Sequence, residues 1–176
     1  MRNKKCLSAL LMIMLISILS ADTCAQESAA IQALATVLPA ISITGEHDLL
    51  FGTVLPDVDK SVDKADGGAA GSWHIQGTSG AEISLDFTLP NDLYTSDSSA
   101  TMTITFTDTD ASYDDETGGG QSAPAGTIDP RGINMLDLGA TGQMDVWIGG
   151  TVEPTLTQTG GDYAADVILT VTYTGN

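Results

Sequence analysis

Beyond residue 25 the chain has no cysteine, only three basic residues (Lys60, Lys64 and Arg131) and only two histidines, His47 and His74. Each scarcity removes a class of chemistry. Without cysteine there can be no disulfide framework and no thiol nucleophile, so stability has to come from burial and backbone pairing. Two distant histidines without cysteine do not make the three- or four-ligand set that zinc requires. His74 lies in SWHIQG, and on an alternating strand it points away from both Trp73 and Ile75, which places it at the surface. Acyl transfer lacks its usual signature, since no G-x-S-x-G occurs. The glycines at Gly67, Gly68 and Gly71, and at Gly118 to Gly120, lack the Lys and Ser/Thr of a phosphate loop. No catalytic residue and no cofactor-binding residue can be assigned, and we expect a protein that is not an enzyme.

The shortage of cations is the strongest compositional signal. Past residue 25 three basic residues face 22 acidic ones, a formal net charge of −19. Binding a phosphate backbone needs Lys and Arg to displace its counterions, so nucleic acid is excluded as a partner, and anionic membrane surfaces are repelled. Long apolar runs are also missing. The longest, Leu7 to Leu19, falls short of the roughly 20 residues of a transmembrane helix, so no transmembrane anchor is expected.

What that run does fit is a secretory signal. Arg2, Lys4 and Lys5 precede it, and small residues Thr23, Cys24 and Ala25 follow. Cleavage between Ala25 and Gln26 gives two regions, 1–25 as signal peptide and 26–176 as one domain of 151 residues, long enough for a real core. The competing site, a lipid-modified Cys24, has Thr23 before it and Ala21 three before it, where a lipoprotein signal has a small residue and a leucine. The destination expected is the periplasm, the cell surface or the medium.

Within 26–176 the dominant pattern has period two. Ile83, Leu85, Phe87 and Leu89 alternate with Glu82, Ser84, Asp86 and Thr88; Met102, Ile104 and Phe106 alternate with threonines; Val167, Leu169, Val171 and Tyr173 share one face of the last segment. Weaker strands are expected at 31–37, 40–44, 49–54, 72–76, 144–148 and 151–156, with Ala29 to Val37 also tolerating a short helix. About eight short strands with turn signals between them predict an all-β fold, a single antiparallel β-sandwich of Ig-like or pilin-like type. Asp57 to Gly71 and Thr107 to Gly126 read as exposed acidic loops. The second contains the only metal candidate: Asp108, Asp110, Asp114, Asp115 and Glu116 could supply several of the oxygens that calcium takes, but without EF-hand spacing or its turn glycine.

Three segments carry a resemblance. ISITGEHDLLFGTVLP (Ile41 to Pro56), WHIQGTSGAEISLDFTLP (Trp73 to Pro90) and VWIGGTVEPTLTQTGGDYAADVILTVTY (Val146 to Tyr173) occur in that order. Together they resemble a family of exported bacterial β-sandwich proteins classed as a domain of unknown function. Its pattern runs D-L-x-F-G, then G-x-x-G before an alternating strand, G-G-T, and G-x-Y before a strand ending in Tyr. The matching residues are Asp48, Leu49, Phe51 and Gly52; Gly77 and Gly80; Gly149, Gly150 and Thr151; and Gly161 and Tyr163. The resemblance implies secretion and a sandwich, and it supplies no catalytic residues. On their own terms the same glycines suit strand ends, and Phe51, Trp73, Tyr163 and Tyr173 suit the core or its edges. A looser similarity is to pilus (fimbrial) subunits, which are exported Ig-like domains whose N-terminal segment completes a neighbour's sheet; Ala29 to Val37 would be that segment. The function expected is therefore structural or binding rather than catalytic. The alternatives are a fimbria-type subunit joined by strand donation, with self-assembly or a surface protein as partner, and a calcium-dependent surface module.

Overall fold

The computed structural model describes residues 27–175; the signal peptide and the proposed boundary at Ala25 and Gln26 lie outside the described residues. The chain divides into two units, residues 1–36 and 37–176. In the first, the described residues 27–36 form neither helix nor strand and are exposed. The second holds thirteen strands and no helix among the described residues, and its sheets are antiparallel throughout, as a β-sandwich requires.

The strands are β1 (Ser42–His47), β2 (Lys60–Val62), β3 (Gly71–Gln76), β4 (Glu82–Thr88), β5 (Asp92–Thr95), β6 (Thr101–Thr105), β7 (Ala111–Asp114), β8 (Gly126–Ile128), β9 (Asn134–Asp137), β10 (Gln143–Ile148), β11 (Gly150–Glu153), β12 (Tyr163–Ala164) and β13 (Ile168–Tyr173). They build three sheets, ordered β1-β3-β10-β7-β8, β13-β4-β9 and β12-β5-β6-β11-β2.

Alternation places the core. Ile83, Leu85 and Phe87 from β4 meet Ile75 from β3 and Met144, Val146 and Ile148 from β10, with Ala111, Ile128 and Leu169 completing the cluster. An edge contact between Trp73 and Phe87, with ring centroids 5.9 Å apart, sets β3 over β4. A second, smaller cluster of Met102, Ile104 and Val152 lies on the five-stranded sheet that includes β6 and β11. The two clusters are joined by a strand that changes sheets: β10 ends at Ile148 and β11 begins at Gly150. At Gly149, between them, an added Cβ would strike the carbonyl oxygen of Val62 and lie 2.8 Å from the Lys64 nitrogen. Only glycine fits where the crossing strand runs against another backbone.

Two expectations need correction. The acidic segments 57–71 and 107–126 are not simply exposed loops. The first contains β2, with Val62 buried, and the second contains β7, with Ala111 and Ser112 fully buried and Asp114 nearly so. Their polar composition hides them because β7 sits on the inside of its sheet, between β10 and β8. Its outward residues are also covered. Segment 63–70 starts beside β7, where Lys64 Nζ donates to the Thr109 carbonyl and Gln121 Nε2 donates to the Lys64 carbonyl, and it ends at β3. β10 runs between, and its outward Trp147 pairs across with Ser72 and Ser112 in a buried row. The strands expected at 31–37 and 49–54 do not form, and the one expected at 40–44 is β1, shifted to Ser42–His47.

Candidate functional site

The sandwich is closed on one side and open on the other. β9 and β10 are joined by a turn over residues 138–142, in which Gly142 N donates to the Gly139 carbonyl and Gly139 N to the Gln143 carbonyl. With β3 over β4 and β10 beside β9, the remaining neighbours, β1 on β3 and β13 on β4, fall on the same flank. Each ends its sheet, so each presents a row of backbone donors and acceptors with no strand beside it among the described residues.

Beside the end of β1, at Gly45 to His47, lies a groove of about 1120 Å³. Its floor is Leu93, Met102, Ile104, Ile148 and Val152, and its walls are the segments 45–54 and 158–167, irregular apart from the end of β1 and the two-residue β12. Leu49, Phe51, Val54, Leu93 and Tyr163 are only partly buried against the second core cluster. Ile43 on β1 pairs with the fully buried Ile75 yet remains 38% exposed, because no strand lies beyond it. The chain holds its walls with local chemistry. Gly52 takes a φ of 62°, Asp57 a φ of 59°, and Lys60 Nζ donates to the Thr53 carbonyl. On the other wall Gln158 Nε2 donates to the Tyr163 hydroxyl and to the Thr101 carbonyl, and that hydroxyl donates to the Thr159 carbonyl.

Of the two histidines and the five acidic calcium candidates, only His47 lines this groove. His74 lies on the outer face of β3, half-buried, with Nδ1 2.7 Å from Asp145 Oδ1. The calcium candidates are dispersed over separate backbone tasks. Asp110 accepts from Thr107 N at 2.7 Å; Asp114 accepts from Gly118 N and Gly120 N at 3.0 and 2.6 Å; Asp115 accepts from Thr117 N at 3.1 Å; Glu116 accepts from Thr141 N at 2.7 Å; Asp108 is exposed. Among the described residues no group of three or more His, Cys, Asp or Glu is placed to hold a metal ion. Of the motif residues, Gly80 has a φ of 63° and Gly77 lies against the Tyr173 ring, away from the groove, whereas Asp48, Leu49, Phe51, Gly52, Gly161 and Tyr163 line its walls.

The groove itself escaped the periodicity reading because most of its walls is irregular, and β12 is only two residues long. The signal that marks them is punctuation: Gly52 and Pro56 on one side, Pro154, Gly160 and Gly161 on the other.

The architecture defines an antiparallel β-sandwich with one unsealed flank. No protein-family model matches the chain, and no curated protein matches it. No helix among the described residues is long and apolar enough to cross a membrane.

Proposed function

We propose that the chain is an exported, non-enzymatic structural or binding protein of the cell surface or periplasm that takes an extended apolar peptide segment into the open side of its sandwich. The observation that carries this is the groove beside the end of β1: an apolar floor between the segments 45–54 and 158–167, next to a strand that has no neighbour on its outer edge among the described residues. Backbone groups at such an edge give affinity for any added strand, and pockets for alternate side chains select its sequence. Export rests on the layout of residues 1–25, and the non-enzymatic reading on a floor made of five apolar side chains.

The neutral dye Nile red tests the groove on dilute mature protein, residues 26–176, since the −19 charge would repel an anionic dye. Its fluorescence should rise on binding. Replacing the two partly buried wall and floor residues, Phe51→Ser with Leu93→Ser, should weaken that binding at least tenfold while the circular dichroism spectrum stays β-rich. Unchanged dye binding in a folded double variant would remove the groove from the account. Mass spectrometry of the mature N-terminus tests export, with Gln26 the expected first residue and a diacylglycerol-modified Cys24 the contrary result.

A further inference from the structure

We infer that the occupant of the groove is a cationic segment of another protein: an extended peptide whose apolar middle lies on the floor and whose flanking Lys or Arg side chains meet acidic residues on both walls. This rests on the groove reading above and names its ligand class.

The walls carry charge of one sign. Glu46 and Asp48 stand on segment 45–54, and Asp162 and Asp166 on segment 158–167; all four are exposed, and no Lys or Arg lines the groove. Among the described residues the ion pairs are His74 with Asp145 and Arg131 with Asp129, so the four carboxylates are not neutralised from within. Lys60, the basic residue nearest in sequence to the first wall, directs its Nζ to the Thr53 carbonyl. Like charges gathered around an apolar floor repel one another, and a cation placed among them removes that repulsion.

The aromatic residues of the walls suit the same ligand. Phe51 on one wall and Tyr163 on the other are half-buried and line the groove. A Lys or Arg lying over such a ring is attracted by its π face, while its aliphatic stem covers apolar surface and its charged head stays in water.

Size selects a peptide over a small molecule. The groove, at about 1120 Å³, exceeds the range of about 300–1,000 Å³ in which small-ligand pockets fall.

Composition selects another protein over a second copy. The only cations past residue 25 are Lys60, Lys64 and Arg131, and each is engaged: the two lysines on backbone carbonyls, the arginine on Asp129. Lys60 and Lys64 enclose only Ser-Val-Asp, so no segment of this chain has an apolar run between cations. Two copies of net charge −19 also repel at long range, whereas a basic partner is drawn in.

Calorimetry on the mature protein, residues 26–176, tests this with three synthetic peptides. All share the middle Val-Thr-Val-Thr-Val-Thr-Val, flanked on each side by two lysines, two serines or two glutamates. The lysine peptide should bind, the serine peptide about tenfold more weakly, and the glutamate peptide not measurably. Because any cation is attracted to a protein of this charge, two variants locate the effect. The rim variant is Glu46→Gln/Asp48→Asn/Asp162→Asn/Asp166→Asn. The control, Glu27→Gln/Asp86→Asn/Asp108→Asn/Asp137→Asn, removes the same charge from exposed residues outside the groove. Each exposed pair contributes little, so the four together should account for a loss of about tenfold in the rim variant, against less than about threefold in the control. Equal losses in the two variants, or equal binding of the lysine and glutamate peptides, overturn the inference. Nile red separates this from the groove reading: dye bound by the parent with no preference for lysine flanks removes only the cationic ligand, whereas binding of neither dye nor any peptide removes both.

Discussion

The two flanks of the sandwich obey the same alternation and reach opposite ends. On the closed flank Ile75, Ile83, Leu85, Met144 and Val146 are at most 1% exposed, because strands of two sheets supply apolar faces to each other. On the open flank Met102 and Ile104 are buried from below, but Leu93, Phe51 and Ile43 remain partly in water. Burial of a large aliphatic side chain contributes about 1.5–3 kcal/mol. The first flank therefore holds the fold, and the second keeps a reserve of uncovered apolar surface.

Substitutions should expose that division. Leu85→Ala, in the closed flank, should cost about 2–5 kcal/mol in denaturant unfolding of the mature protein, enough to threaten folding. A loss similar to that of an exposed residue would mean that the closed flank does not carry the fold. Gly149→Ala, where the strand crosses between the clusters, should cost about 1–3 kcal/mol through steric conflict with the Val62–Lys64 backbone. On the open flank Phe51→Ala should cost only about 1 kcal/mol in the monomer, since the ring is partly exposed already. Ser112→Ala should lie within about 1 kcal/mol of neutral, since the buried Ser112 hydroxyl has no hydrogen-bond partner among the described residues.

The smallest effect concerns pH. Hydrogen bonds from the Ser99 hydroxyl, the Thr95 hydroxyl and the Ser99 N–H hold the Asp97 carboxyl below its ordinary value of 3.8. A carboxyl lowered on folding favours the folded turn above its unfolded pKa, and that contribution fades as pH falls through the lowered value. A carboxyl-detected titration should place the Asp97 midpoint below 3.8, and Ser99→Ala should raise it.

How much of this was legible depends on what each strand packs against. β4, β6 and β13 could be read from sequence because one face is apolar and the other polar. β7 could not: its sequence ASYD puts Ser112 and Asp114 in the covered outward row, where small size and hydrogen bonding to loop N–H groups replace hydrophobicity. β2, β8 and β12, of three, three and two residues, are too short to establish a period. Leu49 to Val54 has the composition of a strand but the backbone of a groove wall, because Gly52 turns it at positive φ. Ala29 to Val37 has the alternation of a strand, but residues 27–40 form none.

Amide hydrogen exchange on the mature protein tests the central claim most directly. If the apolar faces of β3, β4 and β10 hold the fold while the groove walls lack strand pairing, the amides of those three strands should exchange slowest and those of 48–56 and 154–162 fast. Exchange of β3, β4 and β10 as fast as that of 48–56 and 154–162 would contradict it.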